Sequence, residues 1–207
     1  HELATRISYF LWNTTPDDLL MDAADDGSLL APAGLRAQAE RMLADDRASA
    51  TIESFHLQWL AIDDLDQQDK DPALYPAWTG KLARAMLRDT ARFADFVIRG
   101  GDHSFRTLMT SSDTFATGDL HRLLGGVAPP GHVDGEPITL DPARRHGILT
   151  HASNMARHAY AGQSSPIHRG LTVLGNVLCQ DLPAPPADFM VQPPEVDLDL
   201  PTREAPD

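Results

Sequence analysis

Apolar residues spaced three and four apart, in runs cut by Asp, Gly and Pro, constrain this chain more than any other feature. Leu3, Ile7, Phe10 and Leu11 predict a first helix that stops near Asn13-Thr14-Thr15. Thr15, Pro16, Asp17 and Asp18 then place a capping hydroxyl, an N1 proline and two acids at the start of a short second helix, which ends by Gly27. Leu35, Ala39, Met42 and Leu43 mark a third, broken at Asp45-Asp46, and Ile52, Phe55, Trp59 and Ile62 a fourth. Read as core stripes, these faces meet in a common interior.

The stretch from Asp63 to Pro76 is polar, carries two prolines and reads as a connection. The longest helix follows, from Ala77 to Ile98, with Leu82, Met86, Phe93 and Val97 on one face. Lys81, Arg84, Arg88 and Arg92 form a basic stripe on another, either solvated with local pairs from Arg88 or Arg92 to Asp89 or Asp95, or docked to an acidic partner. Gly100-Gly101 ends this helix, and shorter turns are expected over Ser104 to Met109 and Asp119 to Leu124. Val127 to Pro137, rich in glycine and proline, is the best internal boundary, followed by a short extended piece at Ile138-Thr139-Leu140.

Asp141-Pro142 opens a predicted helix whose Ile148, Ala152, Met155 and Ala159 share a face. Ser165-Pro166 opens another, aligning Ile167, Leu171, Leu174 and Leu178. Beyond Leu182, prolines at 183, 185, 186, 193, 194, 201 and 206 alternate with acids, giving a semi-rigid linker or a strand laid over the body. The fold class is therefore mostly α, an irregular multi-helix bundle with a Pro-rich extended C-terminal tail. The expected divisions are 1–126, 127–182 and 183–207.

Thirty acidic residues against 17 basic ones give a net charge of −13, so a nucleic acid meets repulsion before contact. No apolar run approaches the roughly 18 residues of a membrane span. The chain opens at His1 in sequence that is already helical, as a piece of a longer protein would. Cys179 is the only cysteine, which excludes an internal disulfide, a Cys-rich zinc site and a C-x-x-C-H haem attachment within these residues. It is expected to be a small buried hydrophobe near a helix end, or to pair with a cysteine outside this span.

Ligand chemistry concentrates in one helical hairpin holding His146, His151, His158 and His168. His151 and His158 share a face but are separated by seven residues, a rise of about 10.5 Å, too far for both to bind one ion from a single helix. His158 and His168 could converge across the Tyr160 to Ser164 turn and hold a metal, or serve helix-end hydrogen bonding. His151, His158 and His168 are thus the candidate cofactor ligands. His56, beside Trp59, reads as a partly buried histidine at the edge of a core stripe. Ser165, near histidines and Asp141, invites a triad but stands where an N-cap belongs. Asp63, Asp64, Asp66 and Asp69 make an acidic loop without the spacing of a calcium-binding EF-hand.

Leu3 to Trp12 with Pro16-Asp17-Asp18, then Phe55-His56-Leu57-Gln58-Trp59-Leu60, Lys81 to Phe93 and Ser111-Ser112-Asp113-Thr114-Phe115, resemble a bacterial domain of unknown function, DUF1592. Arg145 to His151, Ser164 to Gly170 and Leu178 to Pro186 resemble its companion, DUF1588. The resemblance implies a large exported protein of planctomycete or myxobacterial type, periplasmic or on the cell surface, with c-type cytochrome segments alongside. No cofactor is then expected within these residues, and haem c is expected in flanking ones. It implies no catalytic residues that could be carried over.

The expected role is a helical scaffold that positions haem domains or a partner for electron transfer. Two alternatives stand beside it: part of a degradative enzyme or carbohydrate-binding helper using the histidine hairpin, and a protein-interaction module using the basic stripe.

Overall fold

Asn13 takes a left-handed backbone conformation (φ 52°), and its amide bonds back to the Tyr9 carbonyl, ending α1 (Glu2–Trp12) where the polar run predicts. The computed structural model describes residues 1–125, 131–133 and 135–183. The second helix, α2 (Asp18–Asp25), is capped by Asp17 rather than Thr15: the Asp17 carboxylate accepts from the Leu20 amide. It also takes two bonds from the Arg41 guanidinium, at 2.8 and 3.0 Å. A carboxylate that can bond an amide and an arginine together does more here than a hydroxyl could.

Helix α3 (Pro32–Ala44) begins on a proline and stops at Asp45, and α4 (Arg47–Trp59) follows at once. Trp12, Leu20, Leu29 and Met42 bury one core among α1 to α4, and the Trp12 indole donates to the Met42 carbonyl at 2.8 Å. Arg47 stacks over the Trp12 ring at 3.4 Å, covering its outer face.

At the centre lies α5 (Gly80–Asp95), capped by the Thr79 hydroxyl and extended by a π-turn over Phe96–Gly100. It packs on α4, on α7 (Gly118–Leu123), on α8 (Ala152–Arg157) and on strand β1 (Asp113–Thr114). Leu82, Met86, Phe93 and Val97 are all buried, as their spacing predicts. Between α5 and β1 runs α6 (Phe105–Thr110), capped by Ser104. Strand β1 pairs antiparallel with β2 (Ile138–Thr139), setting Asp113 opposite Thr139. The last described helix is α9 (Pro166–Thr172), followed by a π-turn over Val173–Val177.

The structure corrects several expectations. No single helix spans residues 141 to 159: a turn follows Asp141, Gly147 takes φ 60°, and a 3-10 turn at Ile148–Thr150 precedes α8. The cause is a close approach, since Gly147 donates its amide to the Ser111 carbonyl and a Cβ there would overlap the Met109 backbone. Phe10 and Phe55, read as core, are 77% and 60% exposed. Cys179 is exposed, not buried. The Ile167 and Leu171 face of α9 is also open, with Ile167 72% exposed, and Leu178 beyond it is exposed too. The tail after Pro183 lies outside the described residues.

Candidate functional site

Of the histidines singled out by sequence, His151 and His158 lie where the C-terminal segment packs against α5 and the end of α4, whereas His146 and His168 are exposed. His151 precedes α8 and is buried, with Nδ1 3.3 Å from Asp89 Oδ2 and 3.3 Å from Thr90 Oγ1. Its ring packs on Phe93 at 4.7 Å. The other Asp89 oxygen accepts from the Thr114 hydroxyl at 2.7 Å and the Phe115 amide at 2.6 Å. Thr90 bonds the Ser153 hydroxyl at 2.6 Å. A buried carboxylate is tolerated only when its lone pairs are filled, and each Asp89 oxygen has a partner.

Burial pushes the Asp89 carboxyl upward, yet the hydrogen bond and charge of His151, together with Thr114 and Phe115, hold it below the ordinary carboxylate value. The adjoining cavity, bounded by Asp89, Thr114, Arg145 and His151, has a volume of about 10 Å³. That is barely one water, with no room for a substrate.

His158 is held at both ring nitrogens: Nε2 is 2.9 Å from the Leu60 carbonyl oxygen, and Nδ1 3.2 Å from Thr172 Oγ1. Burial lowers its pKa, favouring the neutral ring. His168 is exposed and stands edge-on to Tyr160 at 4.9 Å. His158 and His168 thus meet through Thr172, whose hydroxyl also bonds the His168 carbonyl at 3.0 Å. Among the described residues, no three His, Cys, Asp or Glu side chains are placed to hold a metal ion.

Further contacts run along the same boundary. Arg157 bonds Asp64 through two nitrogens at 2.5 and 3.0 Å, holding that carboxyl below its ordinary value. Lys70 Nζ reaches the carbonyls of Ala156, Ala159 and Tyr160, capping the end of α8. Trp59 and Asn176 exchange two bonds of 2.7 Å, each side chain donating to the other's carbonyl. Asp64 and Asp66, drawn on for the acidic loop, pair with Arg157 and Arg84. Ser165 caps α9, accepting from the His168 amide at 3.3 Å.

His56, expected to be partly buried, is fully so. Its Nδ1 lies 2.7 Å from the Ile52 carbonyl oxygen, and burial lowers its pKa.

Beyond this seam the surface carries an apolar groove and a basic stripe. A groove of about 670 Å³ is walled by Tyr9, Phe10, Phe55, Trp59, Phe105 and neighbouring aliphatic residues. Spacing had assigned several of these to the interior, and only packing shows them at the surface. The stripe of Lys81, Arg84, Arg88 and Arg92 is exposed along α5. The local pairs expected for Arg88 and Arg92 do not form: Asp89 turns inward to His151 and Asp95 meets Arg99 at 3.5 Å. Arg84 meets Asp66.

Two helical segments are thus stitched together by buried polar contacts, with His151 and His158 turned into the joint. Residues 1–125 match the family described as PSD4, protein of unknown function (DUF1592), and the chain belongs to that family. Residues 145–206 match PSCyt3, protein of unknown function (DUF1588), in the expected order. Asp89 and His151 therefore join one matched segment to the other. Neither a curated protein nor a solved structure gave a match.

Proposed function

We propose that this chain is a helical scaffold module of an exported, cytochrome-associated protein, holding haem-bearing domains or a partner in position for electron transfer. The observation that carries the reading is the pairing of a fastened interior with an open aromatic groove. The seam joins the two segments through Asp89, His151, Arg157 and Lys70, while Tyr9, Phe10, Phe55 and Phe105 stay at the surface. Exposed apolar area of this kind is what a contact with a neighbouring domain covers. The family labels PSD4 and PSCyt3 support a cytochrome setting, and with it a periplasmic or surface location. No helix among the described residues is long and apolar enough to cross a membrane.

The haem in this reading belongs to flanking segments. The test uses the full-length parent protein: it should stain for covalent haem, and Phe55→Asp with Phe105→Asp should loosen the contact between the flanking haem domain and this module without changing haem content. A parent protein with no C-x-x-C-H and no haem would overturn the reading.

An interaction-module reading rests on the basic stripe, because Lys81, Arg88 and Arg92 are exposed without a carboxylate partner among the described residues. Part of a degradative enzyme is the less favoured reading, since His151 and His158 are engaged in the seam and His168 lies at the surface against Tyr160.

A further inference from the structure

A second pocket, of about 510 Å³, opens between the loop before α5 and the end of α8. Its size falls in the range of small-molecule sites. Aromatic walls come from Tyr75, Trp78 and Tyr160, and Lys70, Arg145 and Arg169 line it too, while no Asp or Glu among the described residues does. On a chain of net charge −13, three cations lining an apolar cavity with no carboxylate among its described lining residues set this place apart from the acidic whole.

The three cations are not equivalent. Lys70 spends its donors on three carbonyls, so it contributes charge and holds the wall. It also sits 5.8 Å from the Trp78 ring, whose indole N–H is tied to the Gln68 carbonyl. Arg145 donates to the Thr150 carbonyl at 2.8 Å. Arg169 touches the Met155 sulfur at 3.6 Å and meets no carboxylate among the described residues. A guanidinium whose hydrogen-bond partner among the described residues is a thioether alone has its fork of donors available to an anion.

We propose that this pocket binds a small organic carboxylate with a flat aromatic body, the rings lying against Trp78 and Tyr160 and the carboxylate on Arg169, with Arg145 and Lys70 supplying field. Charge complementarity selects the anion, and the aromatic walls select the body. The pocket and the aromatic groove share no residue, and Lys70 alone of the seam residues named for the scaffold reading also lines the pocket.

The test titrates 1-naphthoate and its neutral analogue 1-naphthalenemethanol into the ¹⁵N-labelled chain, following the indole resonance of Trp78. Naphthoate should shift that resonance saturably and bind at least tenfold more tightly than the alcohol. Arg169→Ala should weaken naphthoate about tenfold while leaving the melting temperature and the alcohol's affinity nearly unchanged. Equal affinity for acid and alcohol, no saturable response at Trp78, or binding insensitive to Arg169→Ala but abolished by Phe105→Ser would overturn the proposal.

Discussion

His151 Nδ1 stands 3.3 Å from Asp89 Oδ2 in the interior, although one residue comes from the middle of the longest helix and the other from the segment before α8. Removing one partner from such a pair strands the other, which costs more than the net value of the pair itself. Asp89→Ala also leaves the Thr114 hydroxyl and Phe115 amide without an acceptor. It should destabilise the fold by about 3 kcal/mol in urea unfolding. Asp89→Asn, which keeps an acceptor oxygen, should cost clearly less.

Acid should weaken the protein in two stages. His56 and His158 have pKa values lowered by burial, so the unfolded chain takes up protons first and stability begins to fall as pH drops through about 6.5. Asp89, Asp17 and Asp64 are also lowered. For Asp89, burial opposes the shift, and the bond and charge of His151 outweigh it; for the other two, arginine bonds lead. Their contribution is complete above about pH 4 and disappears as pH falls through the folded values. Melting temperature against pH should show both stages, and His158→Gln should flatten the first only. A single stage confined below pH 4 would contradict this.

Gly147 has no room for a side chain. At φ 60°, and with the Met109 backbone where a Cβ would lie, Gly147→Ala must displace the chain that carries Ile148 and His151. A loss of about 3 kcal/mol or more is expected. By contrast, Gly170→Ala, in open space, should leave the melting temperature nearly unchanged.

The basic stripe is separable from stability. Arg84 has one 3.5 Å contact with Asp66, its side chain 56% exposed, and Arg88 has no carboxylate partner among the described residues. Arg84→Glu with Arg88→Glu should therefore change unfolding free energy by no more than about 1 kcal/mol. If the stripe docks a partner, the same variant should abolish a binding that weakens with salt.

Much of the helical framework was legible, because stops and caps are local chemistry. The break at Asp45-Asp46, the Ser165-Pro166 start and the buried face of Leu82, Met86, Phe93 and Val97 all follow from short-range signals. What covers a stripe is not local. Phe10 and Phe55 keep helical spacing yet face the groove, and Ile167 keeps it on an open face.

The seam was half visible. The histidines stood out, but Asp89 read as a surface partner for arginines, because burying a carboxylate depends on donors from Thr114, Phe115 and His151 far along the chain. One signal was there: Asp89 and Thr90 sit between Met86 and Phe93 on the apolar face, where a charged residue demands an interior partner. The helix expected from Asp141 failed for the mirror reason, since Gly147 follows a tertiary approach that no local pattern announces.

Native-state hydrogen exchange at Phe93 in α5 and Met155 in α8 tests most directly whether the two matched segments are one mechanical unit. Both amides should open with the same free energy, and Asp89→Ala should lower both together. Met155 exchanging through a far easier opening, with Phe93 untouched by Asp89→Ala, would contradict it.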